Sequence, residues 1–348
     1  MESNFFQSLQ KESWEEVRLE KIIKLKYGKE HKSLNNGNIP TYGSGGIIRY
    51  VDTSIYNNKS ILIPRKGTLN NIFYTEKPFW VVDTMFYSII DLKLAYAKFL
   101  YYKLKTIDFR LLNVGTAVPS LTTQVIYDIT IPLPPLKTQE KIAQILSSFD
   151  DKIDLLHKQN KTLEILAQTL FRHHFIENAK ESWEVGKLGD LIKVKRGKNI
   201  TKKDAVFGIY PVIAGGVKPA CYHNQSNTKS PVITISASGT AGYVSIHYTP
   251  VWASDSSFID ESVTPYIYFC YLFLKMNQEV LYGKQEGSVQ PHIYPSHIMD
   301  LELLKYPKEK IEKFEKEISI YFDKISHNAR EIQNLESLRD IVLKRILE

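Results

Sequence analysis

PLPPLKTQEKIAQILSSFDDKIDLLHKQNKTLEILAQTLF, running from Pro132 to Phe171, repeats its apolar residues every seven positions once the prolines are past. Ile142, Phe149, Leu156, Leu163 and Leu170 fall at one place in the repeat, and Leu146, Ile153, Asn160 and Ala167 at the other. That spacing is the seam of a coiled coil. An amphipathic helix lying on a globular core shows a similar stripe. Length separates the two, because about 37 residues at about 1.5 Å each give roughly 55 Å, more than the width of a small domain. A helix that long connects two bodies and needs a partner helix to cover its stripe.

The partner lies at the other end of the chain. From Lys308 onward Phe314, Tyr321, Asn328, Leu335 and Val342 repeat in sevens, as do Ile311, Ile318, Ile325, Ile332 and Ile346, with Arg339 interrupting. The two segments also align by identity, FDDKID at Phe149 to Asp154 with FDKIS at Phe322 to Ser326, and Leu163-Glu164 with Leu335-Glu336. Antiparallel packing places Asn160 opposite Asn328, where one buried amide pair would fix the register at some cost in stability. Two solvated asparagines on unrelated helices are the alternative.

A second repeat is longer. ESWEEVRLEKIIKLKYGK, from Glu12 to Lys29, returns as ESWEVGKLGDLIKVKRGK from Glu181 to Lys198 with more than half of its positions identical. Later landmarks recur in the same order: Gly45-Gly46 with Gly215-Gly216, Gly67-Thr68 with Gly239-Thr240, and Trp80, Asp83 and Phe86 with Trp252, Asp255 and Phe258. Gly115-Thr116 with Pro119 then matches Gly287-Ser288 with Pro291. A period this long means two copies of a whole domain rather than a solenoid. Each copy ends in a long helix. Within a copy, ILIPRKGT and VITISASGT read as strands ending in a turn, and LKLAYAKFLYYKLK from Leu92 and PYIYFCYLFLKM from Pro265 read as helices. The expected class is α+β, with Pro132, Pro134 and Pro135 as a hinge and His173 to Lys180 as a second boundary.

At 348 residues with 43% hydrophobic side chains the chain has room for two or three domains with real cores. A formal charge of +7 suits a polyanion-binding protein, although charge alone does not establish one. Cys221 and Cys270 cannot build a disulfide framework and have no metal-ligand spacing. With no signal-peptide pattern and no apolar run of membrane-spanning length, a cytoplasmic protein with no membrane partner is expected.

Catalytic signatures are missing. No phosphate loop, zinc-protease helix, paired C-x-x-C or dinucleotide turn occurs. The Gly43, Gly45 and Gly46 cluster marks a tight turn more often than a phosphate cradle, and His173-His174 reads as solvated or dipole-facing histidines rather than a metal site. Asp83 and Asp255, each three residues after a matched tryptophan, read as structural. Two basic, non-catalytic domains held apart by a coiled coil have the shape of a ruler, which suits contact with duplex DNA at two places.

PLPPLKTQEKIAQILSSFDDKID resembles the conserved-region motif of the specificity (S) subunits of type I restriction-modification enzymes, and the duplicated ESWE-to-GK openings and G-[TS]-x-x-P segments are similar to that family too. The second copy departs from the motif, since KYPKEKIEKF lacks the double proline and the glutamine. The resemblance implies two duplicated globular target-recognition domains separated by two long antiparallel helices forming a coiled coil. Their expected bounds are 1–135 and 179–307 for the domains, 136–178 and 308–348 for the helices. It implies a non-enzymatic, DNA-reading platform in which each domain reads one half of a bipartite asymmetric site. The implied partners are duplex DNA, two methyltransferase (M) subunits and restriction/translocase (R) subunits, with S-adenosylmethionine, Mg²⁺ and ATP belonging to those partners and no cofactor in this chain. A coiled-coil scaffold or adhesin with duplicated protein- or glycan-binding domains is the alternative; a self-contained methyltransferase or nuclease lacks its motifs.

Residues shared by both copies, such as Trp80 and Trp252, are expected to be scaffold, and specificity is expected where the copies diverge. In the first domain that points to Arg49, Arg65, Lys66, Asn70 and Asn71, since Arg pairs with guanine and Asn with adenine in the major groove. In the second it points to Lys218, Ser236, Ser238, Gln285, Gln290 and His292. Lys29 and Lys32, with Lys198, Lys202 and Lys203, suit phosphates.

Overall fold

The computed structural model describes residues 14–286 and 291–347. The chain divides into two compact units, Met1–Asp154 with Ile332–Glu348, and Leu155–Glu331. Each unit therefore takes part of both long helices.

The first unit opens with β1 (Glu15–Arg18) and continues through β2 (Ile23–Tyr27), β3 (Asn36–Gly43), β4 (Gly46–Val51), β5 (Ser60–Pro64), β6 (Phe73–Thr75), β7 (Trp80–Val81) and β8 (Met85–Ile90). Helices α1 (Ala97–Lys105) and α2 (Thr123–Tyr127), then β9 (Thr130–Leu133), lead into α3 (Leu136–Arg172). An antiparallel sheet β2-β8-β5-β6 lies alongside a three-stranded sheet β4-β3-β7, in which β3 and β7 run parallel, and β1 pairs β9.

The second unit repeats this pattern strand for strand. After α3 and a π-helical turn (His173–Glu177) come β10 (Val185–Lys187), the short α4 (Leu188–Leu191), β11 (Lys195–Arg196), β12 (Tyr210–Ile213), β13 (Cys221–His223) and β14 (Val232–Ser236). Then follow β15 (Val244–His247), β16 (Trp252–Ala253), β17 (Ser256–Ile259), α5 (Ile267–Met276), α6 (Gln278–Gly283), α7 (Pro295–Met299), β18 (Glu302–Leu304) and α8 (Lys308–Leu347). The sheets are β11-β17-β14-β15, β13-β12-β16 with a parallel β12–β16 pair, and β10-β18. The duplication read from sequence is thus a duplication of topology, in an α+β fold.

The strand-like runs owe their continuous apolar character to burial on both faces, every residue of β5 and of β14 being buried. The helix expected from Leu92 starts only at Ala97, because Asp91 turns the chain first: its carboxylate accepts from Lys93 N at 2.9 Å and its carbonyl from Ala95 N. Helix α1 then buries Phe99 and Tyr102 against Ile142, Ala143 and Leu146 of α3 and Ile346 and Leu347 of α8. In the second unit Phe171, Phe175, Phe269 and Phe314 interlock, their ring centroids 4.9–5.8 Å apart where they pair.

Both heptad stripes are covered throughout, each expected position being buried or half-buried. Within the first unit Ile142 clusters with Ile346, and Asp150 accepts from Arg339 Nη1 at 2.8 Å. Within the second, Asn160 meets Asn328 and Phe171 meets Phe314. In both, rising numbers on α3 meet falling numbers on α8, so the helices pair antiparallel. Arg339, which breaks the apolar repeat, is held by Asp150, and the Tyr102 hydroxyl donates to the same carboxylate at 2.6 Å.

The motif glutamine has a visible task. Gln139 donates to the carbonyls of Pro134 (2.7 Å) and Leu94 (3.0 Å) and accepts from Tyr96 N (2.7 Å), tying the proline turn to the start of α1. The second copy, lacking that glutamine, uses α8 differently: Glu315 accepts from the amides of Tyr268 (2.9 Å) and Phe269 (2.8 Å) in the first turn of α5. Burial pushes the Glu315 carboxyl up to about 7, the two amides pulling the other way.

Candidate nucleic-acid interface

In each unit β2 or its counterpart β11 is followed by Gly-Lys, and that dipeptide is clamped against the tryptophan strand. A Cβ on Gly28 would lie 2.0 Å from Val82 O, and one on Gly197 2.5 Å from the carbonyls of Ala253 and Ser254, so only glycine fits there. Lys29 N donates to Val81 O, and Lys198 N to Ala253 O, each at 2.9 Å. Trp80 Nε1 donates to Lys29 O at 3.0 Å and Trp252 Nε1 to Lys198 O at 2.7 Å. The shared tryptophans are therefore scaffold, holding the backbone while both lysine side chains stay exposed.

Three of the matched glycine loops meet at the end of β5, and the Gly215 and Gly239 loops meet at the end of β14. In the first unit Gly67, at φ +90°, sits against Ser44, and its amide donates to Pro119 O at 3.1 Å. Asn71 Nδ2 donates to Ser44 O at 2.8 Å, and Leu121 N to Arg65 O at 2.9 Å. In the second unit Gly239, at φ +62°, packs on Gly215, and Thr240 N donates to Gly215 O at 2.8 Å. Ile293 N donates to Ala237 O at 2.9 Å, and Gln285 Nε2 to Ala241 O at 2.8 Å. Segments that matched in sequence but stand far apart along the chain are thus brought to one place in each unit.

This convergence gathers Arg65, Lys66 and Asn71 in the first unit, and Ser236, Ser238, Gln285 and His292 in the second. Arg65 is half-buried with its guanidinium 5.6 Å from the Tyr27 ring, Lys66 is exposed, and His292 stacks on Tyr294 at 6.2 Å. Lys218 is exposed just past Gly215-Gly216. Ser238 Oγ donates to the Asp255 carboxylate, which also meets Arg196 at 3.1 Å. Asp255 therefore has the structural part expected of it.

Other candidates stand apart. Arg49 spends its guanidinium on Leu34 O (3.2 Å) and Asn36 Oδ1 (2.7 Å), bracing the loop that carries the exposed Lys29 and Lys32. Asn70 bridges Asp108 Oδ1 (2.8 Å) and Arg110 N (3.2 Å), where the Arg110 side chain and then Asn70 hold the Asp108 carboxyl well below the usual carboxylate range. Lys202 and Lys203 are exposed beyond Lys198. Ser236 is 3% exposed, and its hydroxyl donates to Ala214 O at 3.3 Å, β14 being buried on both faces. Gln290 lies outside the described residues.

Arg196, absent from the candidates named by sequence, replaces Tyr27 of the first copy and lies 6.0 Å from the Tyr294 ring. Divergence inside the otherwise identical K-x-G-K opening was the available signal. Among the described residues no cluster of His, Cys, Asp or Glu could hold a metal ion, and no helix is long and apolar enough to cross a membrane. His173 and His174 lie near Glu177 and Glu317, at 3.5 and 3.9 Å.

Two copies of one α+β domain, each joined to an antiparallel helix pair and each presenting different side chains on the same loop framework, define a two-headed recognition protein. The family model for the type I restriction modification DNA specificity domain matches residues 11–165 and 180–337, and the chain belongs to that family. It is similar to the MjaIX type I restriction enzyme specificity subunit of Methanocaldococcus jannaschii, 26% identical over 84% of this chain and 78% of that one. A putative type I specificity subunit of Mycoplasma pneumoniae is 24% identical over 96% of both chains. The crystal structure of the type I restriction-modification S subunit from M. genitalium shares the fold, with a TM-score of 0.65 and 19% identity over 97% of this chain and 96% of that one. As a specificity subunit with two target-recognition domains, the chain is the non-catalytic member of its system.

Proposed function

We propose that each unit reads one half of a bipartite asymmetric duplex DNA site, that the helix pair sets the gap between the halves, and that it docks two methyltransferase subunits. The observation that carries this reading is the pair of convergent loop sets, equal in framework and different in side chains, because two independent half-sites need a common platform with separate readers. Lys29, Lys32, Lys198, Lys202 and Lys203 take phosphates, whose contacts position without specifying. Arg65 and Lys66 in the first domain, and Lys218, Ser238, Gln285 and His292 in the second, face base edges, with Arg49, Asn70 and Asn71 holding their loops in place.

Partner docking is supported by apolar side chains left outside the seams. Leu338 and Ile341 in the first unit, and Leu155, Ile165, Leu166 and Ile320 in the second, are 41–70% exposed on the long helices, and these are the side chains a methyltransferase subunit would cover. Restriction/translocase subunits complete the complex, and S-adenosylmethionine, Mg²⁺ and ATP belong to the partners in a cytoplasmic assembly. The test is duplex binding by the chain co-purified with its methyltransferase subunits. One sequence should be retained as salt is raised while non-specific duplex is lost through counterion competition. Indifference to sequence at every salt concentration would overturn the reading.

A further inference from the structure

Among the described residues of the second unit the most exposed large apolar side chain is Phe207, 93% exposed, and Ile209 close by is 81% exposed. Between them Gly208 is pressed onto the neighbouring strand, where a Cβ would lie 2.3 Å from Asn224 Cα and 2.4 Å from His223 O. The tip is held from behind as well. Val206 N donates to His223 Nδ1 at 3.1 Å, and the His223 ring packs edge-on against Trp252 at 4.9 Å. Trp252 is the residue that clamps Lys198 O, so one indole fixes both the base of this loop and, through His223, its tip.

The first unit uses the same device with different chemistry. Gly37 is pinned in the same way, a Cβ there lying 2.4 Å from Val51 O and 2.6 Å from Asp52 Cα. Its neighbours are Asn36 and Asn38, both exposed, where the second copy has Phe207 and Ile209. A pinned glycine flanked by two exposed residues is therefore common to both domains, and the flanking pair is what differs, Asn36 Oδ1 of the first accepting from Arg49 Nη2 at 2.7 Å.

The surroundings choose the occupant. Lys198, Lys202 and Lys203 stand exposed on the same loop, and its one acidic residue, Asp204, accepts from the Thr201 hydroxyl at 2.6 Å. Exposed apolar residues on a loop that also carries three exposed cations fit a polyanion with apolar faces inside it, which is duplex DNA; there such side chains touch thymine methyls or press against base steps. We propose that Phe207 and Ile209 are specificity-determining residues that make apolar contact with bases of the second half-site, while the three lysines hold the adjoining phosphates. This rests on the reading of the chain as a DNA-recognition subunit.

The test uses the chain assembled with its methyltransferase subunits and duplexes carrying the motif that the wild-type complex methylates. A double variant, Phe207→Asn with Ile209→Asn, gives the second domain the flanking pair of the first; both positions are exposed, so folding is preserved. Methylation should change at one or two base positions of one half-site, and affinity for the original duplex should fall about tenfold or more, with the other half-site and the gap unchanged. Phe207→Leu should keep most of the original preference. An unaltered motif with unaltered affinity overturns the proposal, as does loss of methyltransferase co-assembly with the half-site intact, which would make the tip a protein contact. Absence of any half-site in the wild-type complex would instead sink the DNA reading beneath it.

Discussion

Asn328 donates its side-chain amide to Asn160 Oδ1 at 2.8 Å, and to Gln159 Oε1 at the same distance, from a position with no solvent exposure. Its own Oδ1 finds no partner among the described residues. A buried acceptor left unpaired costs about 1–3 kcal/mol, so this amide is retained for register rather than for strength. Asn328→Leu should raise the melting temperature by a few degrees, on the order of 1 kcal/mol. It should also loosen register, which cysteine pairs placed one heptad out of step would trap as disulfides. A lower melting temperature would show that the amide pair is a net stabiliser.

Glu315 gives a pH dependence with a definite sign. Burial raises its carboxyl to about 7, above the ordinary 4.5 that the unfolded chain shows. Folding therefore favours the protonated form, and the stability it supplies is complete below pH 4.5 and lost as pH rises through about 7. Glu315→Gln imitates the protonated acid at every pH. The melting temperature of the variant minus that of the wild type should grow more positive between pH 5 and about 7.5. A difference that stays flat or shrinks would mean that the two amides, rather than burial, dominate.

The heptads, the duplication and the asparagine pair were legible because each is a periodic or repeated signal that survives without tertiary knowledge. The convergence of loops was legible only as a list of matched glycines, since no spacing rule says that residues near 44, 67 and 119 meet. The burial of Ser236 was not legible because VITIS gives no alternation: a strand buried on both faces hides which hydroxyls are inside. Phe207 and Ile209 carry no such signal, because an apolar residue beside a glycine looks like ordinary loop and offers no hydrogen-bonding group to mark it. Aligning Gly208 with Gly37 across the two-residue length difference would have exposed it.

Modularity can be tested by exchange. Replacing Trp14 to Leu121 with the equivalent segment of a related specificity subunit should change one half-site and leave the other half and the gap intact. Both halves changing together would contradict two independent readers. Methylation motifs of parent and chimaera supply the comparison.

The ruler can be lengthened. Seven residues added after Leu156 in α3 and seven after Ile332 in α8 keep the heptad faces and lengthen each helix by roughly 10 Å. That is the rise of about three base pairs, which also turn the groove by roughly 100°. The preferred gap should grow by about two to four base pairs, with weaker binding as DNA or coil absorbs the misphasing and with both half-site sequences kept. Selection from a library of varied gaps would read this out, and an unchanged gap would mean that spacing is set elsewhere.

Single-molecule methylome sequencing of a host expressing this chain with its methyltransferase subunits would show directly whether the chain directs methylation to a bipartite site. One methylated motif is expected that depends on the chain and is built of two different half-sites separated by a fixed run of unspecified bases. Methylation that is independent of the chain, or that follows one continuous motif with no gap, would contradict it.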